Sequence, residues 1–168
     1  MSAQRYSDAR PRQPDVTPAS LEGALGHVFR EPALLERALT HPSYAHEHPP
    51  EPNQEPLAFL GDAVLGLVVA ELMMRRAPAE GVGPLTQRRA QLVSGRNLAR
   101  WARALGLGAS LRLGRGEGQG GGREKDSILA ATLEAVVGAL YLDGGLAVAS
   151  ALVHRLVDAG GLSPSDPA

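Results

Sequence analysis

The chain contains no cysteine among its 168 residues, so disulfides and thiolate metal sites are excluded. Aromatic residues are scarce at 4%. A core must then be assembled mostly from Leu, Val and Ala, a mixture poor in Ile and Thr that favours helices over strands. Lysine is nearly absent: Lys125 is the only one, and every other basic side chain apart from His is Arg. The N-terminal MSAQRYSDARPRQ lacks the apolar stretch of a secretory signal. The longest nearly apolar run, Ala63 to Met74, is interrupted by Glu71 and reads as too short to span a bilayer. These absences predict one cytoplasmic domain with a sizeable core and no membrane partner.

What is present is unevenly distributed. The net charge of −1 conceals a basic block. Between Thr86 and Lys125 stand nine basic residues against two acidic ones, so this stretch carries +7 and the remainder −8. Arg suits planar, bidentate phosphate recognition, although a charge run is as often a solvated helix face.

Apolar spacing predicts an all-α chain with no alternating strand pattern. A polar, Pro-rich arm is expected over residues 1–18 and a domain over 19–160, with a frayed tail over 161–168. Leu21, Leu25, Val28 and Phe29 mark a first helix, and Pro32 opens a second carrying Leu34, Leu35, Ala38 and Leu39. Thr40 to Pro56 reads as a loop. A helix over about Glu55–Ala77 is apolar on nearly every side, which predicts a buried central helix with Asp62 in its middle. Thr86 reads as the N-cap of one basic amphipathic helix running to Leu105, ended by Gly106 and Gly108. A short helical piece around Leu107–Leu113 precedes GRGEGQGGGR, a flexible loop. Ser127 is expected to cap another apolar helix through Tyr141, with Glu134 central, and Asp143-Gly144-Gly145 breaks it before a last helix to Ala159.

Two buried helices each carry one central acid, and the sequence between them is basic. That pattern suits a metal-dependent phosphodiesterase, in which carboxylates hold a divalent ion and arginines hold phosphates. Structural pairing of Asp62 and Glu134 with Arg or backbone donors is the alternative. His41, His46 and His48 match no standard metal spacing, and His41 is expected to hydrogen-bond within its loop. The glycines of GRGEGQGGGR follow no strand, so a nucleotide-cofactor reading fails.

Four segments resemble ribonuclease III motifs, in family order. NQEPLAFLGDAVL, Asn53 to Leu65, is similar to the signature N-E-R-L-E-F-L-G-D-[AS]-[VI]-L. LTHPSY, Leu39 to Tyr44, resembles the motif upstream of it, and LTQRRAQLV, Leu85 to Val93, the basic helix downstream. SILAATLEAVVGALYLDGG, Ser127 to Gly145, resembles S-I-L-A-D-x-x-E-A-[VIL]-[IV]-G-A-[IV]-Y-L-D-G-G. The resemblance implies an all-α endonuclease domain, a symmetric homodimer with Phe59 inserting into the partner, a double-stranded RNA substrate and a Mg²⁺ or Mn²⁺ cofactor.

The departures fall on the metal site that the family implies. Its four carboxylate positions correspond here to Ala58, Asp62, Ala131 and Glu134. Residues 58 and 62 share one helix face, as do 131 and 134, so each expected carboxylate pair is half empty. Mg²⁺ demands oxygen ligands in a strict octahedron, so its binding is expected to be weak. Glu55 matches a further acidic position, and Pro56 replaces an Arg in the first helical turn, where Pro is tolerated. Arg88, Arg89, Arg96, Arg123 and Lys125 are the candidate phosphate contacts.

The expectation is a double-stranded RNA-binding domain whose cleavage is lost or strongly impaired. An active endoribonuclease processing structured precursors such as ribosomal RNA, or a non-catalytic dimerisation or ribonucleoprotein-docking module, are the alternatives. No double-stranded-RNA-binding domain follows the last motif within the 168 residues, which is expected to lower RNA affinity.

Overall fold

The computed structural model describes residues 18–160. The expected tail, and the expected arm up to residue 17, lie outside the described residues. Pro18 already begins a helix.

The described residues are helical, in the order α1 Pro18–Leu25, α2 Pro32–Ala38, α3 Pro42–Glu47, α4 Glu55–Arg76, α5 Val82–Leu92, α6 Gly95–Ala104, α7 Leu107–Ser110, α8 Arg115–Gln119 and α9 Asp126–Ala159. A 3₁₀ turn, Gly122–Glu124, precedes α9. Helices α2, α3 and α4 each place Pro in their first turn, where no backbone donor is lost. The only extended pairing among the described residues is one parallel bridge between Thr40 and Arg112. It fastens the start of α3 to the segment after α7, through His41 N–H to the Arg112 carbonyl at 3.0 Å and Arg112 N–H to the Leu39 carbonyl at 2.8 Å.

Several local expectations are corrected. The first helix stops at Leu25, because Gly26 adopts φ +73°, and Val28 is 75% exposed rather than packed. The expected loop between Thr40 and Pro56 contains α3, capped by the His41 imidazole accepting from Ser43 N–H. Thr86 is not an N-cap. It lies inside α5, and its hydroxyl donates to the Val82 carbonyl one turn back. The single basic helix is two helices, because Ser94 terminates α5 and caps α6 through Asn97 N–H. Ser127 likewise falls inside α9, whose cap position is Lys125. The Gly-rich segment is not an open loop: it holds α8 and the 3₁₀ turn.

Helices α4 and α9 form the centre, each packing more extensively with the other than with any further element. Leu65, Val68 and Val69 of α4 meet a core that includes Leu129, Leu133, Val136, Val137 and Leu140 of α9. Both helices are long and apolar enough, by length and composition, to cross a membrane. The run Ala63 to Met74 is only part of the longer α4. Here the apolar residues have a different use, since the two helices bury them against one another. Their approach is backbone on backbone. A Cβ at Gly61 would sit 1.7 Å from the Glu134 carbonyl oxygen, and one at Gly138 would sit 2.2 Å from that of Leu57. Only glycine fits at either position.

The apolarity of α4 is not matched by burial all round. Phe59 is 83% exposed, Leu67 55% and Met74 64%. Spacings of eight and seven residues, about two turns each, put the three on one face. Helix α9 kinks where expected, at Gly145, with φ +78°. The preceding Asp143 carboxylate, almost fully buried, holds the α1–α2 loop against this kink. It accepts from His27 Nε2 at 2.7 Å and from the Arg30 and Glu31 N–H groups at 3.0 and 2.9 Å.

Candidate active site

Positions 58 and 131 come together across the α4–α9 contact. Ala58 and Ala131 line one hollow of about 250 Å³, with His41, Pro42, Gln54, Glu55, Ser127 and Ile128 as its other walls. Of the walls, Gln54 is buried and its Oε1 accepts from the buried Thr132 Oγ1 at 3.2 Å, joining the start of α4 to α9. The hollow is therefore walled largely by the first turns of α4 and α9, which places it where the paired carboxylates of the sequence pattern would converge.

Asp62 and Glu134 flank this region in different environments. Asp62 is exposed, which corrects the expectation of a buried carboxylate in mid-helix. Glu134 is half-buried. Burial lifts its carboxyl above the usual carboxylate range, and the nearby Asp62 charge lifts it further. Neither side chain makes a salt bridge or hydrogen bond among the described residues. Structural pairing with Arg or backbone donors is thus not how these acids are accommodated.

The other sequence candidates are dispersed. Glu55 stands at the rim, its Oε2 accepting from Asn53 Nδ2 at 3.3 Å while its own N–H donates to Asn53 Oδ1. His41 lines the hollow with Nδ1 2.8 Å from Ser43 Oγ. Burial depresses its pKa, Glu117 and Glu55 draw it back up, and Lys125 adds to the depression. Among the described residues no group of three or more His, Asp or Glu is arranged to hold a metal ion. The donor set does not fit a resident divalent ion: two methyl groups occupy the wall where oxygen ligands would stand.

The five candidate phosphate contacts divide. Arg123 points inward, its Nη1 donating to the Gly108, Ala109 and Leu111 carbonyls at 2.8, 3.2 and 2.7 Å. Lys125 pairs with Glu117, and Arg88 with Glu80 at 2.8 Å. Arg89 and Arg96 are exposed and make no ion pair among the described residues. Sequence reasoning missed the exposed stripe Phe59, Leu67 and Met74 apart from Phe59 itself. Its two-turn spacing was readable, but an all-apolar helix hides which face is free.

The comparisons with known proteins agree with this geometry. A family model described as ribonuclease-III-like matches residues 31–159. Ribonuclease 3 of Streptomyces coelicolor is 57% identical over 138 residues, covering 82% of this chain and 50% of that protein. Ribonuclease 3 of Thermobifida fusca is 57% identical over 127 residues, covering 76% and 53%. The chain spans about half the length of these curated relatives. Among solved structures, the nuclease domain of ribonuclease III from Campylobacter jejuni superposes with a TM-score of 0.80 at 38% identity, over 87% of this chain and 97% of that one. A match spanning most of the chain, with helices crossing at Gly61 and Gly138, leaves one assignment: the chain belongs to the ribonuclease III family.

Proposed function

We propose that this nuclease domain binds double-stranded RNA as a homodimer and that its metal-dependent cleavage is lost or strongly impaired. One observation carries the reading: Ala58 and Ala131 both line the one hollow, where the family pattern has Glu and Asp. Asp62 and Glu134 remain, with Glu55 at the rim, and Mg²⁺ or Mn²⁺ would meet too few anions there to be held tightly. Losing one well-placed electrostatic group lowers a rate by roughly 10²–10³-fold, and two are missing.

RNA contact falls to Arg89 and Arg96. Arg88 and Lys125 could join them only by giving up Glu80 and Glu117, and Arg123 serves the fold. A-form RNA would be recognised through its shape and backbone. The exposed Phe59, Leu67 and Met74 stripe is the proposed contact with a second copy. A region involved in dimer formation is named for the Campylobacter jejuni nuclease domain, which supports this reading. A cytoplasmic setting accords with an RNA partner.

The second reading, an active endoribonuclease, is favoured by the unpaired state of Asp62 and Glu134. Cleavage of a long RNA duplex in excess Mg²⁺ or Mn²⁺ separates the two. This chain is expected to cut at least about 10²-fold more slowly than its Ala58→Glu/Ala131→Asp variant. Cutting by the unaltered chain at the variant's rate would overturn the proposal.

A further inference from the structure

We infer that this domain grips duplex RNA without a divalent ion, because the hollow walled by Ala58 and Ala131 holds too little negative charge either to capture the ion or to need it. The inference rests on the RNA-binding reading above and concerns how that binding is regulated.

A cluster of carboxylates dense enough to hold a divalent ion also repels a phosphate backbone until the ion arrives. Binding to such a site is strengthened by the metal. Here the cluster is dispersed. No three ligating side chains converge among the described residues, and two wall positions are methyl groups. Glu55 is turned toward Asn53, and Asp62 lies exposed where water and salt screen it.

The cationic side has kept its strength. Arg89 and Arg96 have no acidic partner among the described residues, and Arg100 meets only the neutral Asn97, at 2.6 Å. Attraction from α5 and α6 is therefore opposed by little repulsion from the hollow. The bound duplex stays whole, and the complex survives chelation. The domain acts on duplex RNA as a shield that an ion neither assembles nor releases.

The test is the affinity of the intact chain for a labelled RNA duplex in EDTA, Mg²⁺ and Ca²⁺ at matched ionic strength. The Ca²⁺ arm guards against any cutting during the titration. The unaltered chain is expected to bind equally, within about twofold, in all three. Ala58→Glu/Ala131→Asp is expected to bind about tenfold more weakly in EDTA and to recover with either ion. Paramagnetic titration of the RNA-free proteins with Mn²⁺ provides a second readout, with a saturable site expected only in the variant.

A tenfold gain by the unaltered chain on adding Mg²⁺ or Ca²⁺, or a saturable Mn²⁺ site in it, overturns the inference and leaves the RNA-binding reading standing. Absence of salt-dependent duplex binding in every buffer overturns that reading and the inference with it. The measurements on the unaltered chain decide the matter even if the variant misfolds.

Discussion

The crossing of α4 and α9 and the hollow beside it are built from the same two helices, about one turn apart on α4 and two on α9, yet they are constrained in opposite ways. At Gly61 and Gly138 one added carbon would collide with a carbonyl oxygen. At Ala58 and Ala131 there is a space of about 250 Å³ to grow into. The crossing must keep its residues for the chain to fold at all. The open space beside Ala58 and Ala131 lets those residues change with the scaffold intact.

The comparison breaks first at the crossing. Gly61→Ala is expected to cost at least about 3 kcal/mol or to abolish folding, since backbone rather than a flexible side chain stands in the way. Denaturant unfolding followed by Trp101, the only tryptophan, measures it. An unchanged midpoint would mean that the helices can separate freely.

The two kinds of arginine sharpen the same contrast. Arg123→Ala strips three carbonyls of their donor and is expected to cost about 2 kcal/mol. Arg96→Ala is expected to leave the melting midpoint in place while weakening duplex binding and reducing the salt slope by about one. Exchange of these two outcomes would reverse their assigned roles.

Acid unfolding probes a third region, the Asp143 clasp. Burial opposes ionisation of Asp143, but hydrogen bonds from His27, Arg30 and Glu31 outweigh it and hold the carboxyl at about 2, against 3.8 for the free group. A pKa lower in the folded than in the unfolded chain stabilises the fold above 3.8, and this contribution is lost as pH falls from there through about 2. Asp143→Asn should flatten the stability profile across that window. The smallest effect belongs to the hollow: Ala58→Glu/Ala131→Asp is expected to shift stability by less than about 1 kcal/mol, by the same denaturant assay.

The sequence announced the family through contiguous letters, and those letters are what the crossing and core demand. Helices α4 and α9, the stop at Gly106 and the kink at Gly145 follow from apolar runs and glycines, signals that act over a few residues. The face of α4 that remains exposed was not legible, because Leu67 and Met74 look like Leu65 and Met73 until the rest of the fold chooses a side. Nor was the split between α5 and α6, where Ser94 overrides a continuous apolar periodicity. Among the arginines, composition could not separate Arg123, spent on three carbonyls, from Arg96. The pairing of residues 58 and 131 was readable only as spacing on two separate helices, and the fold supplies the hollow that joins them.

The backbone contact at Gly61 and Gly138 has a consequence for descent. The distance between α4 and α9 is set by main chain, so no side chain at 58, 62, 131 or 134 alters it. Under the proposed function, the geometry of the hollow is inherited separately from its reactivity. A lineage can drop the ligands and later regain them by two codon changes, and natural selection for folding would register neither event.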